Sequence, residues 1–200
     1  MFDTKAIIEF EIPTPEGPKL AKLRFPTDEE WADRSRRKRV MQRNLGRGQT
    51  QIEPIDYSSV DAELFAAIRQ EGSADLDAYE AQMMLERISY AEVIDLEHQG
   101  GQYRVTLATA AGDATHVVRV PSAKEIMEYR RTFARVVDKP YGRQEIVINL
   151  PAAGACYNAL AVSTEGYKST VPLPHKSAVV RAAIDAVESA SGDNGPVNFR

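Results

Sequence analysis

Alternating apolar and polar positions open the chain and predict a β-hairpin. Apolar and β-branched side chains recur in residues 5–12 and again, with clear alternation, in residues 19–25. Residues 13–18 between them contain three prolines and one glycine. Proline cannot donate a ladder hydrogen bond, so this segment favours a turn. The pattern therefore predicts two antiparallel strands joined by a short connection.

Helical spacing follows the hairpin. Thr27 and Glu30 have the spacing of a capping box, in which each side chain accepts a hydrogen bond from a backbone amide of the first helical turn. We expect this helix to run to about Asn44 and to end at Gly46, because glycine readily adopts the left-handed C-cap. In the rest of the first half, polar residues predict a loop at 47–58, and apolar residues at helical spacing predict helices at 59–70 and 76–88.

The second half is predicted to begin with three strands and to end with helices. Gly100-Gly101 favours a tight turn between the first two strands, and Ser122 with Glu125 forms a second capping box. The helix that follows carries an apolar stripe of four side chains, Ile126, Tyr129, Phe133 and Val136. The predicted segments are strands at 91–97, 102–109, 114–120 and 145–150, helices at 151–164 and 175–189, and a flexible tail at 191–200.

The two halves of the chain repeat one another at a nearly constant offset. The segment Leu23-Arg24-Phe25-Pro26-Thr27 corresponds to Val118-Arg119-Val120-Pro121-Ser122. The other matches are Glu30 with Glu125, Trp31 with Ile126, Arg36 with Arg131, Gly46-Arg47 with Gly142-Arg143, and Glu71-Gly72 with Glu165-Gly166. Because the offset stays at 94 to 96 residues through strand, cap and helix, the sequence predicts a tandem duplication.

The resulting fold prediction is α+β, with a unit of about 95 residues present twice. Residues 1–88 are predicted to form a β-β-α-α-α unit, residues 89–190 a related unit, and residues 191–200 a flexible tail. Each unit is expected to pack a small antiparallel sheet, a hairpin or a meander, against helices on one face. The predicted core consists of Trp31, Leu64, Ile68, Ile126, Tyr129, Phe133, Val180 and Ile184.

Composition and charge narrow the function classes. A net charge of −4 gives the whole molecule no bulk attraction for nucleic acid or acidic lipid. The longest apolar runs are far shorter than the roughly 20 residues that span a bilayer, and no signal-peptide pattern opens the sequence. The single cysteine, Cys156, cannot form an intrachain disulfide. We therefore expect a protein of the cytoplasm, of a host cytoplasm or of a virion, without membrane contact.

The sequence lacks the common signatures of catalysis and cofactor binding, among them the phosphate loop, Gly-x-Ser-x-Gly and His-Glu-x-x-His. His98 and His116 fall in neighbouring predicted strands, but no third zinc ligand accompanies them. Cys156 and His175 could form a thiol–imidazole pair, although a cysteine among small helical residues is usually buried and inert. We expect no enzymatic activity, no metal and no cofactor.

Basic residues are concentrated between positions 34 and 47, where seven of fourteen residues are Arg or Lys. On the predicted helix, four of them share one stripe and form the candidate partner-binding site: Arg36, Arg39, Arg43 and Arg47. Such a stripe can bind nucleic-acid phosphates, pair with an acidic protein surface, or stay solvated beside acidic residues one turn earlier. The acidic net charge and the lack of interleaved aromatic residues favour a protein over nucleic acid.

The hairpin, the segment Leu23-Arg24-Phe25-Pro26 and the capped helix together resemble phage tail assembly chaperones. Residues 7–31 carry the resemblance, and residues 115–131 repeat it in outline. The resemblance implies a non-enzymatic protein that binds the tape-measure protein and tail-tube subunits during assembly. The alternatives are a structural component of the particle and a nucleic-acid-binding accessory protein that uses the basic helix 34–47. The sequence leaves the partner and the oligomeric state open.

Overall fold

The computed structural model shows an α+β fold and describes residues 1–13, 17–46, 49–53 and 57–190. The first half consists of β1 (Ile7–Ile12), β2 (Lys19–Arg24), α1 (Asp28–Arg37), β3 (Val40–Gly46), β4 (Gln49–Glu53), α2 (Ser58–Ile68) and α3 (Ala78–Ile88). The second half consists of β5 (Ala91–Gln99), β6 (Gln102–Thr109), β7 (Gly112–Arg119), α4 (Ala123–Phe133), β8 (Ala134–Lys139), a 3₁₀ turn (Pro140–Gly142), β9 (Arg143–Ile148), α5 (Leu150–Leu160), β10 (Ala161–Glu165) and α6 (Leu173–Ala190).

The described strands form three antiparallel sheets. Strands β1 and β2 pair as the predicted hairpin, and β5, β6 and β7 form the predicted meander, which β10 extends to the order β10-β7-β6-β5. The third sheet has the order β4-β3-β9-β8 and takes two strands from each half of the chain. We call it the bridging sheet.

The starts of α1 and α4 are built in the same way. Both predicted capping boxes are present, with the side chain and the backbone amide of the cap both engaged. Arg24, three residues before the first cap, donates two hydrogen bonds to the Glu30 carboxylate, and Arg119 does the same to Glu125. The arginine in each pair is the main reason that the pKa of the glutamate lies below its usual value.

Buried side chains form two hydrophobic clusters. The first gathers residues of β1, β2, α1, α2 and α3, and the second gathers residues of β6, β7, α4, α5 and α6. Seven of the eight predicted core residues are buried: Trp31, Leu64, Ile68, Ile126, Tyr129, Val180 and Ile184. Phe133 is half-buried at the end of α4 and packs on the second cluster.

The two halves contact each other outside the bridging sheet as well. Phe2 pairs with Tyr167 in a parallel bridge, and the Lys168 amide donates a 2.8 Å hydrogen bond to the Phe2 carbonyl. Leu173, at the start of α6, belongs to the first hydrophobic cluster. The Asp28 carboxylate accepts a hydrogen bond from the Leu173 amide and pairs with Lys176 at 3.0 Å.

The first basic helix is shorter than the sequence predicts. Helix α1 ends at Arg37 instead of Asn44, and residues 40–46 form β3, with Gly46 at its end instead of a helix C-cap. Strand β4 occupies part of the predicted polar loop, so the first half has the order β-β-α-β-β-α-α instead of β-β-α-α-α. The pairing of β3 with both β4 and β9 supplies ladder hydrogen bonds that outweigh local helix propensity.

The second half shows the same kind of difference. Helix α4 ends at Phe133, so Val136 lies in β8 instead of on the helical stripe, and the predicted helix at 151–164 ends at Leu160 before β10. The order β2-α1-β3-β4-α2 is thus followed by the order β7-α4-β8-β9-α5. The duplication and the boundaries at 88 and 190 stay predictions, and residues 191–200 lie outside the described part of the chain.

Candidate interaction surface

The bridging sheet lies outside both hydrophobic clusters. Among the described residues, none of its four strands contributes a side chain to either cluster. Those of its apolar residues whose side chains the structure describes are half-buried or exposed, as at Val40 and at Ile52, which is 68% exposed. Strands β4 and β8 form its two edges, and within the described residues each pairs with one strand only. A sheet with unpaired edges is a common site of protein–protein contact.

A row of four residues crosses the centre of the bridging sheet. Glu53 in β4 lies opposite Met41 in β3, Met41 lies opposite Glu145 in β9, and Glu145 lies opposite Val137 in β8. Directly opposed positions in antiparallel strands share one face of a sheet. The row therefore alternates acidic and apolar positions from one edge of the sheet to the other.

Glu145 is the buried charge at the centre of this sheet, with 4% of its surface exposed. Lys139 Nζ lies 2.6 Å from Glu145 Oε2, and Arg39 Nη1 lies 2.6 Å from Oε1. These two cations, Lys139 before Arg39, lower the pKa of the Glu145 carboxyl. Burial and then the Glu145 carboxylate raise the pKa of the nearby Tyr57 phenol. The ion pairs tie β9 to β8 and to the segment that precedes β3.

Basic residues form the adjoining row. Arg43 in β3 lies opposite Arg143 in β9, and Arg143 lies opposite Lys139 in β8. We call these three residues the basic row. Like charges directly opposite one another destabilise a sheet unless a counter-charge lies nearby. Lys139 pairs with Glu145 at 2.6 Å, so the sheet itself supplies part of the counter-charge for this row.

The opposite face of the bridging sheet carries amides and β-branched side chains. Gln42 donates a 2.8 Å hydrogen bond to Gln144, which in turn donates a 3.0 Å hydrogen bond to Asp138. In the next row, Val40 lies opposite Ile146 and Ile146 lies opposite Val136. This face offers a partner both hydrogen bonds and apolar contacts.

The four predicted site residues do not form one helical stripe. Arg36 is exposed near the end of α1 and pairs with Asp33 at 3.3 Å. Arg39 lies between α1 and β3, and Arg43 lies in β3, so an extended segment separates them and helical spacing does not bring them together. Arg47 lies outside the described residues. The "basic helix 34–47" is thus corrected to a helix end followed by a strand.

Most of the other basic residues of the segment are paired with carboxylates. Asp61 in α2 is fully buried, and it lies 2.7 Å from both Arg34 and Lys38. Arg37 lies 2.7 Å from Glu63 at the protein surface. The charge run therefore serves partly to join α1 to α2.

Of the residues considered for metal binding and nucleophilic chemistry, His116 and His175 both contact the Tyr167 hydroxyl, at 3.2 Å and 2.9 Å. His98 is exposed beside Tyr103, whereas His116 is buried and lies 2.9 Å from the Tyr157 hydroxyl. His175 is hydrogen-bonded to Tyr167, and burial raises the pKa of the Cys156 thiol. Within the described residues no group of three or more His, Cys, Asp or Glu side chains could hold a metal ion.

Sequence reasoning missed the part of this surface that comes from the second half. Arg135, Lys139, Arg143 and Glu145 join β3 only because β9 crosses to pair with it. The signal in the sequence was Val136-Val137, two β-branched residues that favour a strand over the predicted helix. The pairing of β9 with β3 has no local signal, because it joins residues about 100 positions apart.

Comparison with protein-family models, with curated proteins and with solved structures found no match to this chain. Among the described helices, none combines the length and the apolar character needed to cross a membrane.

Proposed function

We propose that the protein is a non-enzymatic assembly protein whose bridging sheet pairs with other protein chains. The observation that carries the proposal is the placement of this four-stranded sheet outside both hydrophobic clusters, with its β4 and β8 edges unpaired among the described residues. An added strand would gain main-chain hydrogen bonds at such an edge and specificity from the alternating side chains.

The proposed setting is a phage or phage-like tail, in the cytoplasm of the producing cell or on the particle. Support comes from the resemblance of residues 7–31 and 115–131 to phage tail assembly chaperones. The proposed partners are then a tape-measure protein or tail-tube subunits, bound without a cofactor. A structural role within the particle uses the same surface and is the alternative in this setting.

The test is affinity capture of the tagged protein from the cells that produce it, with proline substituted at Val136 or at Val137 in β8. Neighbouring strand residues direct their amides to opposite edges of the strand. One of the two substitutions therefore removes an amide at the open edge, and the other removes an amide that faces β9. The variant that lacks the open-edge amide should stay folded and lose its protein partners, as read by mass spectrometry. Retention of the same partners by both folded variants would contradict the proposal.

Nucleic-acid binding is the second candidate function, and the observation that favours it is the exposed Arg43 of β3, which lies opposite Arg143 in β9. It predicts that Arg43→Ser with Arg143→Ser weakens retention of DNA or RNA in a mobility-shift assay and lowers the salt dependence by about two units of slope. Arg36→Ser, on α1, is the matched control. If nuclease treatment leaves the captured partners unchanged and the double variant behaves as the parent, this candidate is excluded.

A further inference from the structure

The two edges of the bridging sheet are complementary in strand type. The bridging sheet consists of two hairpins, β3–β4 and β8–β9. The first strand of each hairpin, β3 or β8, follows a capped helix, α1 or α4, and the second strand, β4 or β9, is called here the returning strand. Where the two hairpins meet, β3 pairs with β9, so a first strand lies beside a returning strand. The two edges left open are again a first strand, β8, and a returning strand, β4.

Strand direction is also compatible with continuation of the sheet. The three pairings β4–β3, β3–β9 and β9–β8 are all antiparallel, so β4 and β8 run in opposite directions at the two edges. If β4 of a second copy lay beside β8, the alternation of strand direction would continue unbroken. The new junction would then reproduce the junction between β3 and β9 within the chain.

The central row repeats in the same way. From β4 to β8 it reads Glu53, Met41, Glu145 and Val137, which is an acidic and an apolar position, twice. A second copy placed beside β8 would bring its Glu53 opposite Val137, so the row would continue with the same period of two strands. In this register Asp138 lies opposite Ile52 of the neighbouring copy.

Charge supports this register. Within the chain, Glu145 pairs at 2.6 Å with Arg39, which lies two residues before Met41. Arg135 lies two residues before Val137 in β8, is exposed, and has no carboxylate partner among the described residues. In the continued sheet, Arg135 would lie two residues from the position opposite Glu53 of the neighbouring copy, the same offset in register that Arg39 has from the position opposite Glu145.

We propose that the partner of the β8 edge is the β4 edge of a second copy of this chain, joined head to tail in one continuous antiparallel sheet. The inference rests on the proposed function, because it takes the bridging sheet as the interaction surface, and it names the partner. A head-to-tail contact uses different surfaces on the two copies. Repeated copies therefore close into a ring or extend as a filament instead of stopping at a two-fold dimer.

Cysteine cross-linking of mixed variants tests the pairing directly. In a Cys156→Ala background, one variant carries Ile52→Cys in β4 and the other Asp138→Cys in β8, since opposed positions in neighbouring strands are close enough for a disulfide. Under mild oxidation, cross-linked dimers should form only when the two variants are mixed. Cross-linking of either variant alone would show a two-fold contact, and no cross-link in the mixture would show that the edges do not meet; both results overturn the proposal.

Charge reversal supplies a second test on the otherwise unchanged protein. Arg135→Glu should weaken self-association at least tenfold, as measured by sedimentation across a concentration series in multiples of the 22.2 kDa chain. Combining Arg135→Glu with Glu53→Arg should restore it. Arg131→Glu, on the exposed face of α4, is the matched control and should leave self-association unchanged. Equal weakening of self-association by Arg135→Glu and by the control Arg131→Glu would contradict the assigned register.

The two proposals fail in distinguishable ways. In one outcome, the parent protein sediments as a monomer and the cysteine variants do not cross-link, but proline at the open edge still abolishes capture of partners of another sequence. This outcome overturns the head-to-tail inference and leaves the proposed function standing. A protein that captures no chain at all through this edge, neither its own copies nor others, overturns both.

Discussion

At the residue scale, the burial of Asp61 depends on its two basic partners. The side chain is fully buried in the first turn of α2 and pairs with Arg34 and Lys38, which are themselves mostly shielded. Asp61→Asn should lower the free energy of unfolding by about 3 kcal/mol, because removing one member of a buried pair leaves the other charges uncompensated. Urea unfolding followed by the fluorescence of Trp31 measures the change.

Glu63→Gln is the control for this prediction. Glu63 pairs with Arg37 at 2.7 Å, but both side chains are well exposed, and solvent-screened pairs of that kind contribute little to stability. The two substitutions remove the same charge from the same helix. Similar effects of both would show that burial of the Asp61 ion pairs does not stabilise the α1–α2 contact.

The histidines of the second half predict a dependence of stability on pH. Burial lowers the pKa of His116 from its ordinary 6.5 to about 4, and burial with the nearby His116 lowers that of His175 to about 4. The unfolded chain therefore binds protons more readily than the folded one. Their contribution to stability is complete above pH 6.5 and is lost as the pH falls toward 4.

His116→Gln should reduce the loss of unfolding free energy between pH 7 and 4.5 by about 2 kcal/mol, because glutamine does not titrate. The loss is measured by urea unfolding at each pH, which separates it from any constant cost of the substitution. An unchanged pH dependence in His116→Gln would exclude this histidine as its source.

At the element scale, α1 and α4 both depend on a capping box and an arginine–glutamate pair. Ser122→Ala and Thr27→Ala should each lower the free energy of unfolding by about 1 kcal/mol, because each leaves amides of the first turn without a side-chain acceptor. Thermal unfolding of the two variants measures the cost. Ser189→Ala, exposed near the end of α6, should change it by less than about 0.5 kcal/mol.

Local chemistry made the element starts predictable from the sequence, whereas the element ends depended on distant pairing. The caps at Thr27 and Ser122 act within four residues, and both are present as predicted. The ends of α1 at Arg37 and of α4 at Phe133 are set where β3 and β8 leave to join the bridging sheet. Because β3 pairs with β9 from the other half, no short stretch of sequence contains the information that ends α1, whereas Val136-Val137 is a local signal for the end of α4.

The same cause explains the outcome for the candidate site. The concentration of arginines between residues 34 and 47 is visible in the sequence, and residues 40–46 of that segment form a strand of the bridging sheet. The predicted arrangement of these arginines was wrong, because it assumed a helical stripe with a period of 3.6 residues. Arg43 lies in β3, where side chains on one face recur every two residues, and Arg39 lies just before that strand. A prediction of which face carries charge depends on the element type being right.

At the scale of the whole molecule, the two hydrophobic clusters are joined by shared side chains. The Tyr167 ring packs against both clusters. Phe2, which belongs to the first cluster, contacts Phe25 at a ring separation of 5.1 Å and His175 of α6 at 5.0 Å. Together with the β3–β9 pairing, these contacts make it costly for either half to unfold while the other stays folded.

Phe2→Ala should therefore destabilise both halves together. Loss of a buried phenylalanine costs about 3–5 kcal/mol, and here the lost contacts lie on both sides of the boundary between the halves. Hydrogen exchange read by mass spectrometry should show equal loss of protection in α3 and in β6, within a single unfolding transition. Tyr79→Ala, at a position of α3 that is 68% exposed, should leave both protected. Loss of protection confined to α3 would show instead that the halves unfold independently. In that case the bridging sheet does not couple the unfolding of one half to that of the other.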